Sequence, residues 1–460
     1  MVANTHNKTD KVTLSRTLGL FDITMIGIGA MIGAGIFVLI GIAAGHAGPV
    51  LAIAFLLNGI ITTFTAVSYA ELGSCFPAAG GGYKWVKEGL GGTQGFLAGW
   101  MNWFAYIVAC ALYGLGFGRL AVELWLLTGI PLPLTEHQLA ICFMVLIIAI
   151  FAYINSRGAS EAGLVGNVVT TAKVIILIIF VGFGVYAIVG NPNWVDNFSD
   201  GLLPNGIGGV FIAMGMTFIA FEGYEIIAQS GEEVKNPTQN IPRAIFISII
   251  AVVIIYVLIG FVVIGAVVPP PGLSVWDYLA GAKEVAIVRA AEQFMPMGGI
   301  LILISGLAST MSALNATIYS SSRVSFAMGR DSNLPTAFGS IHPKLHTPSR
   351  AVFLSAVMVV LMGMTLPIEQ VAAAANIMFL LLFTQVNIAV MTLRRRRPEV
   401  HRGYKVPFFP WIPLMGIVTN LGMAVFLATK IGGVGLVSLV WIASGLLLYW
   451  GYFSKREEED

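Results

Sequence analysis

The sequence predicts an all-α membrane protein of twelve transmembrane helices, and three observations carry that prediction. The 460-residue chain is 57% hydrophobic and only 10% charged, against about 25% charged residues in a typical soluble domain. Its apolar residues gather into twelve stretches of helix length, and about 20 such residues cross a bilayer as an α-helix. Its basic residues concentrate in alternate connections between those stretches, the asymmetry that marks cytoplasmic loops.

In chain order the stretches are Leu20–Ala43, Val50–Tyr69, Gly95–Phe117, Leu139–Ile154, Gly163–Ile188 and Gly208–Ala228 in the first half. The second half supplies Ala244–Val267, Phe294–Ile318, Ala351–Leu366, Ile368–Leu393, Ile412–Thr429 and Val434–Tyr452. The connections are short, so one transmembrane domain is expected over residues 18–453, between an N-terminal tail at 1–17 and a C-terminal tail at 454–460. With both termini cytoplasmic, twenty of the 25 Lys and Arg residues occupy inner segments; only Arg119, Lys283, Arg289 and Lys430 lie outside, and Lys173 lies within a span. Losing one span would mix the two groups. The first 17 residues are polar and run into a full-length span with no small-residue cleavage site, so no removable signal peptide is expected. The predicted location is the cell membrane, multi-pass.

Several function classes are disfavoured by the same reading. The net charge is +2, and the basic residues form no stripe of the kind nucleic acid requires; Arg394–Arg397 reads as a solvated inner loop. Cys75, Cys110 and Cys142 lack metal-ligand spacing and are expected as free thiols. His6, His46, His137, His342, His346 and His401 all fall in predicted connections or tails, where they cannot ligate a metal from the faces of membrane helices. No G-x-S-x-G nucleophile motif is present. An enzyme, a cofactor and a metal are therefore not expected. A channel fits the topology, but no filter-like repeat or segment suited to a charged ring is found.

Polar residues inside spans carry the functional signal. Lys173 lies ten residues into the uncharged run Gly163–Ile188, about 15 Å from its start. That is farther than its stem easily snorkels. A mid-helix lysine costs roughly 3 kcal/mol on insertion scales, so an internal polar site is implied. In the first span, Ile32-Gly33-Ala34-Gly35-Ile36-Phe37 places two glycines where the backbone could leave helical geometry. Such a break is tolerated only beside protein or a water-filled cavity, and the resumed half-helix would aim amide hydrogens and a positive dipole end at an anion. Close helix packing by small residues is the alternative. The sixth span has a counterpart in Phe218-Ile219-Ala220-Phe221-Glu222-Gly223-Tyr224-Glu225, with two carboxylates flanking a glycine. Interrupted helices at corresponding places in two halves point to a transporter binding site, with spans one to five and six to ten as the inverted repeats.

With those residues in view, the chain resembles the amino acid, polyamine and organocation (APC) transporters. Matching pieces are Gly29-Ala30-Met31-Ile32-Gly33-Ala34-Gly35-Ile36-Phe37, Tyr69-Ala70-Glu71-Leu72-Gly73 and Phe76-Pro77-Ala78-Ala79-Gly80-Gly81-Gly82-Tyr83. Others are Glu232-Glu233-Val234-Lys235-Asn236-Pro237, Ile241-Pro242-Arg243-Ala244, Ala313-Leu314-Asn315-Ala316-Thr317-Ile318-Tyr319, Gly329-Arg330-Asp331, Asn333-Leu334-Pro335 and Tyr404-Lys405-Val406-Pro407. The resemblance implies the leucine-transporter fold, a 5+5 inverted repeat with helices 1 and 6 broken.

The resemblance also implies roles. In similar proton-coupled members a fifth-span lysine occupies the place of an ion, so Lys173 would meet carbonyls near Gly29 and Ile32 and a hydroxyl of Ser309 or Ser312. It could gain and lose a proton as the site alternates, or serve as a fixed structural cation. A substrate α-carboxylate would meet the amides of Ala34, Gly35 and Ile36 beside Gly33. Its α-amine would meet carbonyls near Met31 and along Ile219, Ala220, Phe221 and Glu222. Many relatives carry an aromatic lid where this chain has Ile219, so Phe218 or Phe221 would substitute, or pack in the core. Glu225 matches a position that is acidic in some exchangers. Glu222 replaces a commoner apolar residue and could bind a cationic side chain or pair with a buried polar group. Glu71 is expected to anchor the loop after span two rather than to touch substrate. The function expected is proton-coupled amino acid symport by alternating access, with an amino acid or polyamine exchanger as the alternative; the partners are the amino acid, the proton and the lipid bilayer.

Overall fold

The computed structural model describes residues 16–77, 80–131, 134–157, 162–192, 194–199, 201–342 and 347–453. The tails at 1–15 and 454–460, Ala78, Ala79, Lys344 and His346 lie outside the described residues. No strand occurs among the described residues; a single β-bridge joins Leu18 to Val234. An all-helical chain is what a membrane interior demands of a non-barrel protein, because each helix satisfies its own backbone groups.

The first span is broken. Helix α1 (Leu20–Met31) stops, α2 (Ala34–Phe37) and α3 (Ile40–Ala47) follow, and Gly48, at φ +63°, turns the chain into α4 (Leu51–Cys75). Short α5 (Gly81–Leu90) precedes α6 (Gly92–Leu126), α7 (Glu136–Arg157) and α8 (Ala162–Gly190). After the turn α9 (Asp196–Ser199), the sixth span splits into α10 (Gly206–Thr217), a 3-10 turn at Phe218–Phe221, and α11 (Tyr224–Gln229). Helix α12 (Pro237–Gly265) opens with proline at its first position, where the missing N–H would be unpaired anyway.

Two short helices, α13 (Val275–Ala282) and α14 (Ala286–Phe294), separate α12 from α15 (Gly298–Arg330). The chain ends through α16 (Ser349–Thr365), α17 (Ile368–Arg396), α18 (Trp411–Lys430) and α19 (Val434–Leu448). Among the described residues eleven helical segments are long and apolar enough to cross a membrane; α16, with 17 residues, is shorter. Helices also extend beyond the apolar stretches that announced them, so His46 lies in α3 and His137 in α7, not in connections as their sequence neighbourhoods suggested. Among the described residues no three His, Cys, Asp or Glu side chains gather to hold a metal.

The core is built by α1, α6, α10, α11 and α15, with α4 packed along α12 and α17 against α6. Side chains such as Val189, Tyr186, Phe353 and Leu447 stay exposed, a surface that an apolar solvent explains and water does not. Helix α19 is fixed to α6 by Trp441 stacking on Trp100 at 4.5 Å, each indole N–H donating to the other residue's carbonyl, at 2.9 and 3.2 Å. At the end of α4, Glu71 accepts from Arg394, from Arg402 Nε at 3.2 Å and from the Val406 amide at 2.7 Å. It thereby holds the Tyr404–Pro407 segment to the bundle.

Candidate functional site

Both interruptions lie next to each other at the centre of the bundle. Ile32 (φ −77°, ψ 77°) and Gly33 (φ −118°, ψ −146°) leave helical geometry, so α1 ends at Met31 while Gly35 is already helical again. In the sixth span Glu222 is extended (φ −83°, ψ 141°) and Gly223 takes φ +138°, a conformation that favours glycine. A Cβ on Gly223 would stand 2.8 Å from the Met31 nitrogen, and one on Gly35 would overlap Ala220. The two breaks touch backbone to backbone, which only glycine at these positions allows.

A helix that stops inside a bundle leaves its last carbonyls without partners, and here neighbouring spans supply them. Lys173, 1% exposed, sends its ammonium from α8 to the carbonyls of Gly29 and Ile32, both at 2.7 Å. It also reaches Ser312 Oγ at 3.1 Å and Ser309 Oγ at 3.5 Å on α15. Ser309 itself donates to the Ile32 carbonyl. The Met31 carbonyl accepts from Tyr256 Oη at 2.7 Å. Gly29 is required for this approach, because a Cβ there would stand 2.5 Å from Thr170 Oγ1 on α8. The fold thus brings Gly29, Ile32, Lys173, Ser309 and Ser312 into one cluster.

At the second break the caps are neutral amides. Asn58 Nδ2 donates to the Met214 carbonyl at 2.8 Å and to Thr217 Oγ1 at 3.1 Å, and Asn376 Nδ2 donates to the carbonyls of Gly215 and Met216. Tyr256, Asn58 and Asn376 were missed by sequence reasoning. The two asparagines were accessible to it by the logic applied to Lys173, since polar groups buried in spans need partners; a tyrosine in an apolar run gives no such signal. Replacing Asn376 with leucine is expected to strip two carbonyls of their donor at about 1–3 kcal/mol each. A lowered melting temperature of the purified variant checks this.

The remaining predicted site residues surround the breaks and are sealed from solvent. Met31, Ala34, Ile36, Phe218, Ile219, Ala220 and Phe221 are all buried. Phe221 packs edge-on against Tyr256 at 5.2 Å and near Phe55, while Phe218 faces Phe383 at 6.3 Å. Both phenylalanines therefore have core partners in this closed arrangement. Glu225 accepts the Gly223 amide at 2.6 Å. Glu222 is buried, and neither of its carboxyl oxygens has a partner among the described residues.

A helical bundle with eleven membrane-length apolar segments among the described residues, an apolar exterior and a polar centre defines a multi-pass membrane protein. The sequence pattern of the amino acid permease family matches residues 18–453. The chain belongs to that family, and hence to the APC transporters. It is similar to the methylthioribose transporter of Bacillus subtilis, 32% identical over 96% of this chain and 95% of the relative. It is also similar to the branched-chain amino acid permease BcaP of Bacillus subtilis, 31% identical over 97% and 95% of the two chains. The serine/threonine exchanger SteT of the same organism is 28% identical over 96% and 98%. Family and relatives are transporters and not enzymes.

Proposed function

We propose that the protein is a proton-coupled amino acid symporter working by alternating access, on a leucine-transporter fold in which α16 completes twelve spans. A 17-residue helix falls within the range that crosses a bilayer. The location proposed is the cell membrane, with both termini in the cytoplasm on the strength of the lysine and arginine distribution.

One observation carries the reading: a lysine, and not an amide, caps the first break. Asn58 and Asn376 satisfy the orphan carbonyls of α10 with no charge, so capping alone does not call for an ammonium. A titratable group at the equivalent task gives the first break a second state. Protonated, Lys173 ties the carbonyl end of α1 to the hydroxyls of α15; on losing its proton it loses the charge that makes those bonds strong, and α1 is released to move. The substrate's carboxylate meets the amides of Ala34, Gly35 and Ile36, which begin α2 and lack intrahelical partners. Its amine meets the carbonyls of residues 219–222 and the neighbourhood of the Met31 carbonyl, which Tyr256 Oη and the Gly33 amide already engage. Gly33 leaves room for both.

Relatives named for amino acids support that substrate class, and the relative named as an exchanger favours a second reading, amino acid exchange. Uptake into proteoliposomes separates the two. Symport predicts accumulation in empty vesicles under an inward proton gradient; uptake that requires unlabelled amino acid preloaded inside, regardless of the gradient, refutes it.

A further inference from the structure

Glu222 is the carboxyl at this centre with both oxygens unsatisfied; single atoms of Tyr224, Asn58 and Asn376 also lack partners among the described residues. It is 4% exposed, and neither Oε1 nor Oε2 has a hydrogen-bond partner among the described residues. Such a carboxyl is costly in either protonation state, since the ionised form lacks a countercharge and the protonated form lacks an acceptor. Glu225, three residues on, differs in being held by the Gly223 amide.

The direction in which Glu222 acts is set by its neighbours. Glu222 is extended and leads into Gly223, where an added Cβ would stand 2.7 Å from Ala30 Cβ and 2.8 Å from the Met31 nitrogen of the first span. Glu222 therefore belongs to the space between the two interrupted spans. If the substrate binds as proposed above, on which this inference rests, its α-carboxylate and α-ammonium are both met by backbone. Neither uses the Glu222 carboxylate, which is left for a further group.

We propose that Glu222 is a specificity-determining residue that receives a second positive group, so that the site selects amino acids whose side chains carry an ammonium or guanidinium. Two oxygens with no protein partner suit the paired donors of such a head, and rejecting a ligand that leaves a buried polar group unpaired is an effective basis for selectivity.

Titration calorimetry on the purified protein with lysine and with norleucine, which lacks only the terminal amine, tests this. Wild type is expected to bind lysine at least tenfold more tightly than norleucine, and Glu222→Gln to bring lysine down to the norleucine level. Glu222→Asp, which keeps the charge, is expected to retain part of the preference. Norleucine binding as tightly as lysine in wild type, or an undiminished lysine preference in Glu222→Gln, overturns the proposal while leaving amino acid transport intact. Binding of neither ligand overturns the amino acid site itself, and this inference with it. The wild-type comparison needs no variant, so a misfolded substitution does not remove the test.

Discussion

Lys173→Ala is expected to reduce proton-driven amino acid accumulation in proteoliposomes to background while the protein still folds. The substitution removes the donor shared by the Gly29 and Ile32 carbonyls, a loss of about 1–3 kcal/mol for a carbonyl left bare. Ser309 still donates to Ile32, and the burial cost of the ammonium, about 3 kcal/mol on insertion scales, disappears with it. Net stability should change little, whereas coupling loses its titratable group. Uptake at several external pH values, beside a melting curve, checks both halves. Accumulation with an unaltered pH profile would remove Lys173 from the mechanism.

The second large effect is expected at the other charged centre, where Glu71→Ala should destabilise the protein by about 3–5 kcal/mol, the cost of breaking a buried ion pair from one side. Glu71 is 1% exposed and gathers Arg394, Arg402 and the Val406 amide. Removing it leaves the well-buried Arg402 without its carboxylate and releases the segment before α18. A marked fall in the melting temperature of detergent-purified protein is the expected readout. A variant that melts with wild type would show that the cluster contributes no net stability. Unlike Lys173→Ala, this change acts on the fold before it acts on transport.

These two centres also show what the residue pattern could and could not reveal. Helix content and the long apolar segments were legible because a bilayer admits few backbone solutions, and both interruptions were legible because Gly33 and the Glu222-Gly223 pair are out of place in membrane helices. Lys173 declared a buried polar centre by its depth alone; its neighbours were supplied by resemblance, and the fold brings Gly29, Ile32, Ser309 and Ser312 to it. Glu71 was expected to anchor the loop after span two; its side chain instead holds Arg394, Arg402 and the Val406 amide, so the segment it anchors is the one before α18.

What stayed hidden depends on which way side chains face. A span that is hydrophobic all round carries no amphipathic stripe to mark its buried side, so Tyr256 could not be aimed at Met31, nor Asn58 and Asn376 at the end of α10. The division of the first span was legible only in part. Two residues unwind, and α2 resumes at Ala34, because Gly35 is needed for contact with Ala220 and not for the break. Helix α16 shows the limit of counting, since its apolar stretch yields 17 helical residues, shorter than its neighbours.

The most direct measurement is of lumenal pH in vesicles holding the purified protein, a trapped pH indicator and no internal amino acid. If Lys173 couples proton and substrate movement, adding an accepted amino acid outside should acidify the lumen of wild-type vesicles as the amino acid enters, and should leave Lys173→Ala vesicles unchanged. Amino acid entry into wild-type vesicles with no accompanying acidification would contradict the account.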